Sequence, residues 1–396
     1  MSVETAPTDS SRHESGLRAR IMEMPASRIR EVSDAAMGVP GVIALWFGEP
    51  DTPTPKFICD AAAEAMFSGD TFYTPNRGIP ELRAALAKYN SKLYGADIAA
   101  DRVTVTASGM SAMMLAKQLL VDEGDNIVCP TPQWPNVRGT IDVLGGVQKP
   151  VPLNFSENGW SLDLDQLFDA VDGRSRAIFV NSPGNPTGWM MPREQQKALL
   201  DFARERGLWV VADEVYARVV YDQPHAPSFL EHASPEDRLI IVNSFSKPWS
   251  MTGWRLGWLV TPPELGNRLE MLNEFNVAGA TTFVQRGGVA ALEQGDAFIA
   301  EQVARWGKNR DIIYNRLHAN PKIRVARPEG AFYAFFSVEG LTDSLKFCKD
   351  LVREAKVGLA PGIAFGEQGE GWLRACFASS PERLNTALDR LESYIE

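Results

Sequence analysis

The sequence predicts an α/β fold: a mostly parallel sheet sandwiched by helices, with a smaller α+β domain beside it. Three observations predict it. Short apolar β-type runs alternate with helical patterns through the middle of the chain. Residues able to do chemistry cluster just beyond the ends of those runs, where ligands sit in open α/β sheets. After Glu264 the pattern changes to long helices and then to mixed short elements.

Residues 1–18 are polar and read as a tail rather than a domain. A helix is expected over Ala26–Met37, stopped by Gly38 and Pro40, with a short strand at Val42–Phe47. Strand-type runs follow at Val103–Thr106, Asn126–Cys129, Ala177–Val180, Leu208–Ala212, Leu239–Asn243 and Leu256–Val260. Helical patterns at Ile79–Leu93, Ser111–Leu120, Trp134–Val143, Asp163–Ala170 and Arg193–Arg206 separate most of them. Long helices are expected over Pro263–Phe275 and Val284–Leu317. Beyond them come Ile323–Val325, Ala331–Phe336, Leu341–Glu354, Trp372–Phe377 and a helix from Pro381. The domain division that follows is 48–290 for the large domain, with 19–47 plus 291–396 forming the small one.

Composition narrows the function classes. The chain has 396 residues and a formal net charge of −10, an acidic balance that argues against nucleic-acid binding and suits a cytoplasmic protein. Residues 1–20 hold no apolar stretch of signal-peptide type, and no run is long enough to span a bilayer. The four cysteines form no CxxC pair and the four histidines show no metal spacing, so no metal site is expected. Neither GxGxxG nor GxxxxGK[ST] occurs.

Five features stand at strand ends. Ala107-Ser-Gly-Met-Ser111 turns from a strand into a helix, and its amides offer a phosphate seat. Pro130-Thr-Pro-Gln-Trp134-Pro-Asn136 places a flat ring nearby. Asn181-Ser-Pro-Gly-Asn185-Pro-Thr-Gly188 is a turn-rich loop, and Asp213 ends the next strand with Tyr216 three residues on. Lys247 follows the fifth strand, between the hydroxyls of Ser244 and Ser246 and the guanidinium of Arg255. A lysine beside a fixed cation and apolar walls has a lowered pKa and attacks aldehydes. Hydroxyls and an arginine suit a phosphate. An aldehyde that carries a phosphate and is held by a lysine describes pyridoxal 5'-phosphate. Singly, each residue has a plainer explanation: a helix cap for Asp213, core packing for Trp134, a surface ion pair for Arg374. Their convergence favours the chemical one.

In combination these motifs resemble the fold-type-I pyridoxal-phosphate enzymes of the class I/II aminotransferase group (aspartate aminotransferase-like superfamily). The resemblance runs from about Ser27 to Glu396. It rests on Gly48-Glu-Pro-Asp51, Tyr73-Thr-Pro-Asn-Arg-Gly-Ile-Pro-Glu-Leu-Arg83, Asn185-Pro-Thr-Gly188, Asp213-Glu-Val-Tyr216, Ser244-Phe-Ser-Lys247 with Arg255, and Leu373-Arg374. It implies a transaminase that moves an amino group from an L-amino acid to a 2-oxo acid by a ping-pong route. Lys247 would be the Schiff-base lysine and proton carrier, Asp213 the partner of the ring nitrogen, and Tyr216 with Asn185 the donors to the ring's phenolic oxygen. Trp134 would stack on the ring. Gly109, Met110, Ser111, Ser244, Ser246 and Arg255 would hold the phosphate. Arg374 would clamp the substrate carboxylate, with Gly48 approaching by its backbone. Tyr73 would reach the neighbouring subunit's site, which implies a homodimer.

Departures from the group bear on substrate. Val137 stands where many aspartate transaminases carry histidine, and Met110 where one dicarboxylate-specific version has lysine. Val277-Ala-Gly-Ala-Thr-Thr282 carries no cation either, so strict aspartate specificity is not expected. Trp46, Phe47 and Trp189 suggest an aromatic side-chain pocket. The alternative chemistry on the same scaffold is a β-lyase. Two other classes are weaker. Gly109-Met-Ser111-Ala-Met113 departs from the GxSxG nucleophile elbow in its last position. A ligand-sensing regulator would need a DNA-binding segment that the N-terminal tail does not offer.

Overall fold

The computed structural model describes residues 15–396, so most of the expected tail lies outside the described residues. Seven strands form the main sheet: β1 (Val103–Thr106), β2 (Asn126–Thr131), β3 (Val147–Pro152), β4 (Ser175–Asn181), β5 (Trp209–Asp213), β6 (Leu239–Ser244) and β7 (Gly257–Val260). Their order is β1-β7-β6-β5-β4-β2-β3. Only β7 runs antiparallel to its neighbours, β1 and β6. The remaining pairs are parallel, so the carboxyl ends of β4, β5 and β6 share one edge.

The continuous apolar runs are explained by burial on both faces, as covered parallel sheets require. Ile178, Val180, Val210, Ala212 and Ile241 face one apolar cluster. Phe179, Val211, Ile240 and Val242 face another, which the helix Gly109–Leu120 completes with Ala112, Leu115 and Ala116. Register fixes the edge: Asn181 lies opposite Asp213, and Asp213 opposite Val242. Three consecutive strands thus deliver neighbouring residues to the place where the loops converge.

A second sheet contains β8 (Ile323–Val325), β9 (Tyr333–Val338), β10 (Ala360–Pro361) and β11 (Trp372–Cys376), in the order β8-β9-β11-β10 and antiparallel throughout. Its apolar cluster takes in Phe335, Phe336 and Leu373, with Ile29 and Val32 from the N-terminal helix Arg28–Ala35 and Leu388 from the last helix, Pro381–Ile395. Ser27 opens the N-terminal helix by accepting from the Arg30 amide at 3.3 Å.

Some elements differ from expectation. The single long helix over Val284–Leu317 is two helices, Thr282–Gln294 and Asp296–Ala319, joined at Gly295. A Cβ there would lie 2.4 Å from Trp249 Nε1 and 2.3 Å from the Ala291 carbonyl oxygen, so the chain passes only as glycine. The strand expected over Val42–Phe47 shrinks to Ile43–Ala44, paired in parallel with Val357–Gly358. Strand β3 and the helix Lys56–Phe67 carry no counterpart in the sequence reading. Among the described residues, no helix is long and apolar enough to cross a membrane.

Candidate active site

A cavity of about 240 Å³ opens at the shared strand edge, between the two sheets. Lys247, Asp213, Tyr216, Asn185, Trp134, Gly109, Met110, Ser244, Ser246, Arg255, Arg374, Gly48 and Phe47 all line it. Four expected residues do not. Ser111 is in the first turn of the helix Gly109–Leu120, where its amide donates to Ser108 Oγ at 3.0 Å. The Trp46 ring packs against Gly358, on whose Cβ position two of its ring carbons would lie at 2.0 Å. Trp46 meets the site through its backbone instead, where its carbonyl accepts from Arg374 Nη2. Tyr73 is 93 % exposed and does not line the cavity. Trp189, the third ring of the expected aromatic pocket, is buried in the large apolar cluster instead.

Lys247 leaves the end of β6 and donates from Nζ to the Gly48 carbonyl at 2.7 Å. Burial lowers its pKa to about 8, and the guanidinium groups of Arg374 and Arg255 add to the effect while Cys376 and Glu49 oppose it. The amine therefore has a substantial neutral fraction near neutral pH, as a nucleophile needs.

Asp213 is buried at the end of β5, and Oδ1 accepts from the Val215 amide at 3.3 Å. Burial raises its carboxyl to about 7, against the opposing pull of that hydrogen bond and of the Lys117 and Lys247 ammonium groups. Asn181 frames it from β4, donating from Nδ2 to the Asp213 carbonyl at 3.0 Å and accepting the Asn185 amide on Oδ1 at 2.8 Å.

Arg374 comes from β11, almost wholly buried, and spans the gap between the two sheets. Nη1 donates to Asn185 Oδ1 at 2.9 Å, while Nε has no partner. Its guanidinium lies over the rings of Tyr333 and Phe365 at 4.5 and 4.9 Å. No carboxylate forms an ion pair with it among the described residues. A buried guanidinium held only by neutral partners is set up to receive an anion.

The opposite end of the cavity is built for a different anion. The helix Gly109–Leu120 starts there, with Ser108 as its cap at φ 147°. Gly109 lies close against Ser244, where a Cβ would sit 3.1 Å from that side chain. Ser244 Oγ and Ser246 Oγ are 2.9 Å apart, and Arg255 stays in the left-handed region at φ 53°. Helix amides, two hydroxyls and a guanidinium are a phosphate-type donor set. The chemistry of the lining thus fits pyridoxal phosphate at both ends: phosphate donors here, and an amine with a buried carboxyl beyond.

Sequence reasoning overlooked Asn181, Ile29, Val215, Val242, Thr252 and Tyr333 in this lining. Asn181 was visible as the first residue of the Asn185 loop. Tyr333 gave no signal, because its place depends on the pairing of β9 with β11. Its hydroxyl is 2.6 Å from that of Tyr216.

Next to Asp213, Glu214 points away from the cavity into the core, where Ser228 Oγ contacts its Oε2 at 2.7 Å and the Phe229 amide donates to Oε1 at 3.1 Å. Burial raises its carboxyl to about 8. Both acids hold protons in the folded state that the unfolded chain releases above about pH 4 to 5. Their contribution is therefore full at low pH and is lost as pH rises towards 8. Cofactor-free protein is expected to melt progressively lower between pH 5 and 8, by an amount on the order of a few kcal/mol. Glu214→Gln should flatten the upper part of that decline. A melting temperature that rises across this window would contradict the assignment.

The profile of the family described as aminotransferase class I and II matches residues 40–391. An aspartate aminotransferase of Pyrococcus horikoshii is 36 % identical over 381 residues, covering 95 % of this chain and 96 % of that protein. Aromatic-amino-acid aminotransferase 2 of Thermococcus litoralis is 33 % identical, covering 96 % and 98 %. The crystal structure of an aspartate aminotransferase from Thermotoga maritima matches with a TM-score of 0.89 at 34 % identity, covering 96 % of this chain and all of that one. Fold and comparisons together define a pyridoxal-phosphate-dependent transaminase rather than a lyase. The chain belongs to the aminotransferase class I and II family.

Proposed function

We propose that this cavity transfers amino groups between L-amino acids and 2-oxo acids with apolar or aromatic side chains, and that the residues lining it divide the work as follows. The observation that carries the reading is the meeting of three groups in one enclosure: the Lys247 amine, the buried Asp213 carboxyl and the Arg374 guanidinium. Pyridoxal phosphate, when bound, supplies an aldehyde to capture the substrate amine and a ring to accept the electrons left when Cα loses its proton.

The protein's own groups do the rest. Arg374 holds the substrate carboxylate and so fixes which bond at Cα faces Lys247. Lys247 Nζ takes the Cα proton and later returns it, a general acid–base role that its lowered pKa suits. Asp213 keeps a proton on the ring nitrogen. Asn185 already uses Oδ1 to accept from Arg374, which leaves Nδ2 to donate to the phenolic oxygen. Tyr216 can accept from Tyr333 while donating to that same oxygen. Trp134 holds the ring plane, and Gly109, Met110, Ser244, Ser246 and Arg255 hold the phosphate.

The side-chain preference rests on Phe47 and Ile29. The cations lining the cavity, Lys247, Arg255 and Arg374, are already assigned. None is left over for a second substrate carboxylate within one protomer. We further infer a homodimer in which Tyr73 reaches the partner's cavity. Phe72 and Tyr73 are exposed close to Phe275 and Val277, also exposed, since Thr282 Oγ1 donates to the Phe72 carbonyl at 2.7 Å and Asn76 Nδ2 donates to Glu274 at 3.3 Å. The division into residues 48–290 and residues 19–47 with 291–396 is supported by the two sheets, each with its main apolar cluster, although Ala291 and Ile299 pack in the first cluster and Tyr216 and Val219 in the second. The acidic composition suits a cytoplasmic location.

A donor–acceptor screen on purified, loaded protein tests the reading. Phenylalanine, leucine and their 2-oxo acids should turn over at least about tenfold better than aspartate or glutamate by kcat/KM, the scale of one pocket's apolar fit. Turnover confined to dicarboxylates would overturn the side-chain assignment, and would place the missing cation in the partner subunit.

A further inference from the structure

One charged group has no place in the mechanism so far. Lys117 lies on the buried face of the helix Gly109–Leu120 and is 0 % exposed. Its neighbours in that core are Ala112, Met113, Ala116, Phe179 and Val211. Nζ has no hydrogen-bond partner and sits 4.4 Å from the centre of the Phe179 ring. An ammonium in such surroundings costs several kcal/mol unless an opposite charge compensates it.

The sheet register says where that charge is. Phe179 is paired with Val211, and two residues further along the same strands Asn181 is paired with Asp213. Residues two apart on a strand share a face. Phe179, Val211 and Asp213 are therefore on the face that Lys117 packs against. The groups that act electrostatically on Lys117 are the Asp213 carboxyl and the Cys129 thiol. Cys129 is buried and its thiol is pushed up to about 11, so it is neutral near pH 7. Asp213 is the one acid left to balance the ammonium. Seen from Asp213, the acting cations are Lys117 and Lys247, and Lys247 gives up its charge when it acts as a nucleophile.

We propose that Lys117 is a positioning residue whose buried ammonium, fixed beneath β4 and β5, is the standing counter-charge that keeps Asp213 ionised towards the ring nitrogen. Lys247 cannot do this throughout the reaction, because its charge comes and goes. Lys117 does not line the cavity and moves no proton, so its charge stays through both half-reactions. The inference rests on the reading of Asp213 as the ring-nitrogen partner.

The test is the pH dependence of pyridoxal phosphate dissociation from the full chain, measured by equilibrium dialysis for wild type, Lys117→Met, Asp213→Asn and the double variant. Lys117→Met should move the acid limb of binding up by about one pH unit, which is about tenfold weaker binding at a fixed pH on that limb. The absorbance titration of the bound cofactor should move the same way. In the Asp213→Asn background the Lys117 effect should vanish. An Asp213→Asn variant that binds like wild type would show that the Asp213 reading is wrong. An Asp213→Asn effect with no Lys117→Met shift, or the same shift in both backgrounds, would overturn the Lys117 proposal alone. Because methionine fills the same space and Asp213 can take up a proton when its counter-charge is gone, Lys117→Met should stay folded. Lys117→Gln is the second neutral variant. Loss of the fold in both would also overturn the proposal, since it would make Lys117 a structural residue.

Discussion

Lys247→Ala is expected to abolish amino transfer, lowering kcat by at least about 10⁴-fold while the protein stays folded. General acid–base catalysis alone accounts for roughly 10² to 10⁴ of rate, and this residue is also the nucleophile that holds the cofactor between turnovers. No other lysine can take over. Lys117 is buried outside the cavity lining, and among the cavity residues the remaining cations are guanidinium groups, which do not deprotonate. The fold should survive, because the one hydrogen bond Nζ makes is to the Gly48 carbonyl, at the cavity wall. A single-turnover assay on protein preloaded with pyridoxal phosphate checks it. Residual transfer within tenfold of wild type would mean that another group moves the Cα proton.

Arg374→Ala should lower kcat/KM for α-amino acids by about 10² to 10³-fold, equivalent to roughly 3–4 kcal/mol, the usual loss when one member of a buried charged pair is removed. Its guanidinium is held in place by Asn185 and by the Trp46 carbonyl, and stacked on Tyr333 and Phe365. Most of the effect should fall on KM, because the carboxylate is present before and after the chemical step. Simple primary amines, which have no carboxylate, should react with wild type and variant alike. If the variant lost activity against amines to the same extent, Arg374 would be acting on the fold or the cofactor instead. Arg374→Lys should recover little, since an ammonium cannot make the paired contact of a guanidinium.

The sequence carried the main sheet well because its strands are buried on both faces. Runs such as Leu239–Asn243 and Leu208–Ala212 are continuous and rich in β-branched residues; β6 starts where the first starts and ends one residue later, and β5 is the second shifted by one residue. Strand β3 escaped notice for the opposite reason. It is an edge strand with two prolines and exposed positions, so it lacks both a continuous run and a clean alternation. The break at Gly295 was also hidden, because a glycine inside a helical pattern shows its cause only once Trp249 is known to lie against it.

The site was legible where local motifs carry it. Lys247, Asp213, Asn185 and the Gly109 turn each follow a strand, and a parallel sheet brings strand ends together without further information. Contacts set by long-range pairing were not legible. Tyr333 reaches Tyr216 because β9 pairs with β11 in one particular register. Trp46 and Phe47 show the same limit on a smaller scale. The two rings are adjacent in sequence at a bend that follows the strand Ile43–Ala44, and which of them faces the cavity is set by what packs around that bend. That ring is Phe47; Trp46 is packed on Gly358.

The measurement that bears most directly on Lys247 is borohydride reduction of the protein loaded with pyridoxal phosphate, followed by peptide mapping by mass spectrometry. Reduction fixes the cofactor to whichever amine holds it. The structure predicts a single pyridoxyl modification on the peptide containing Lys247, and none on Lys117. Modification of a different lysine, or no covalent attachment at all, would contradict the account.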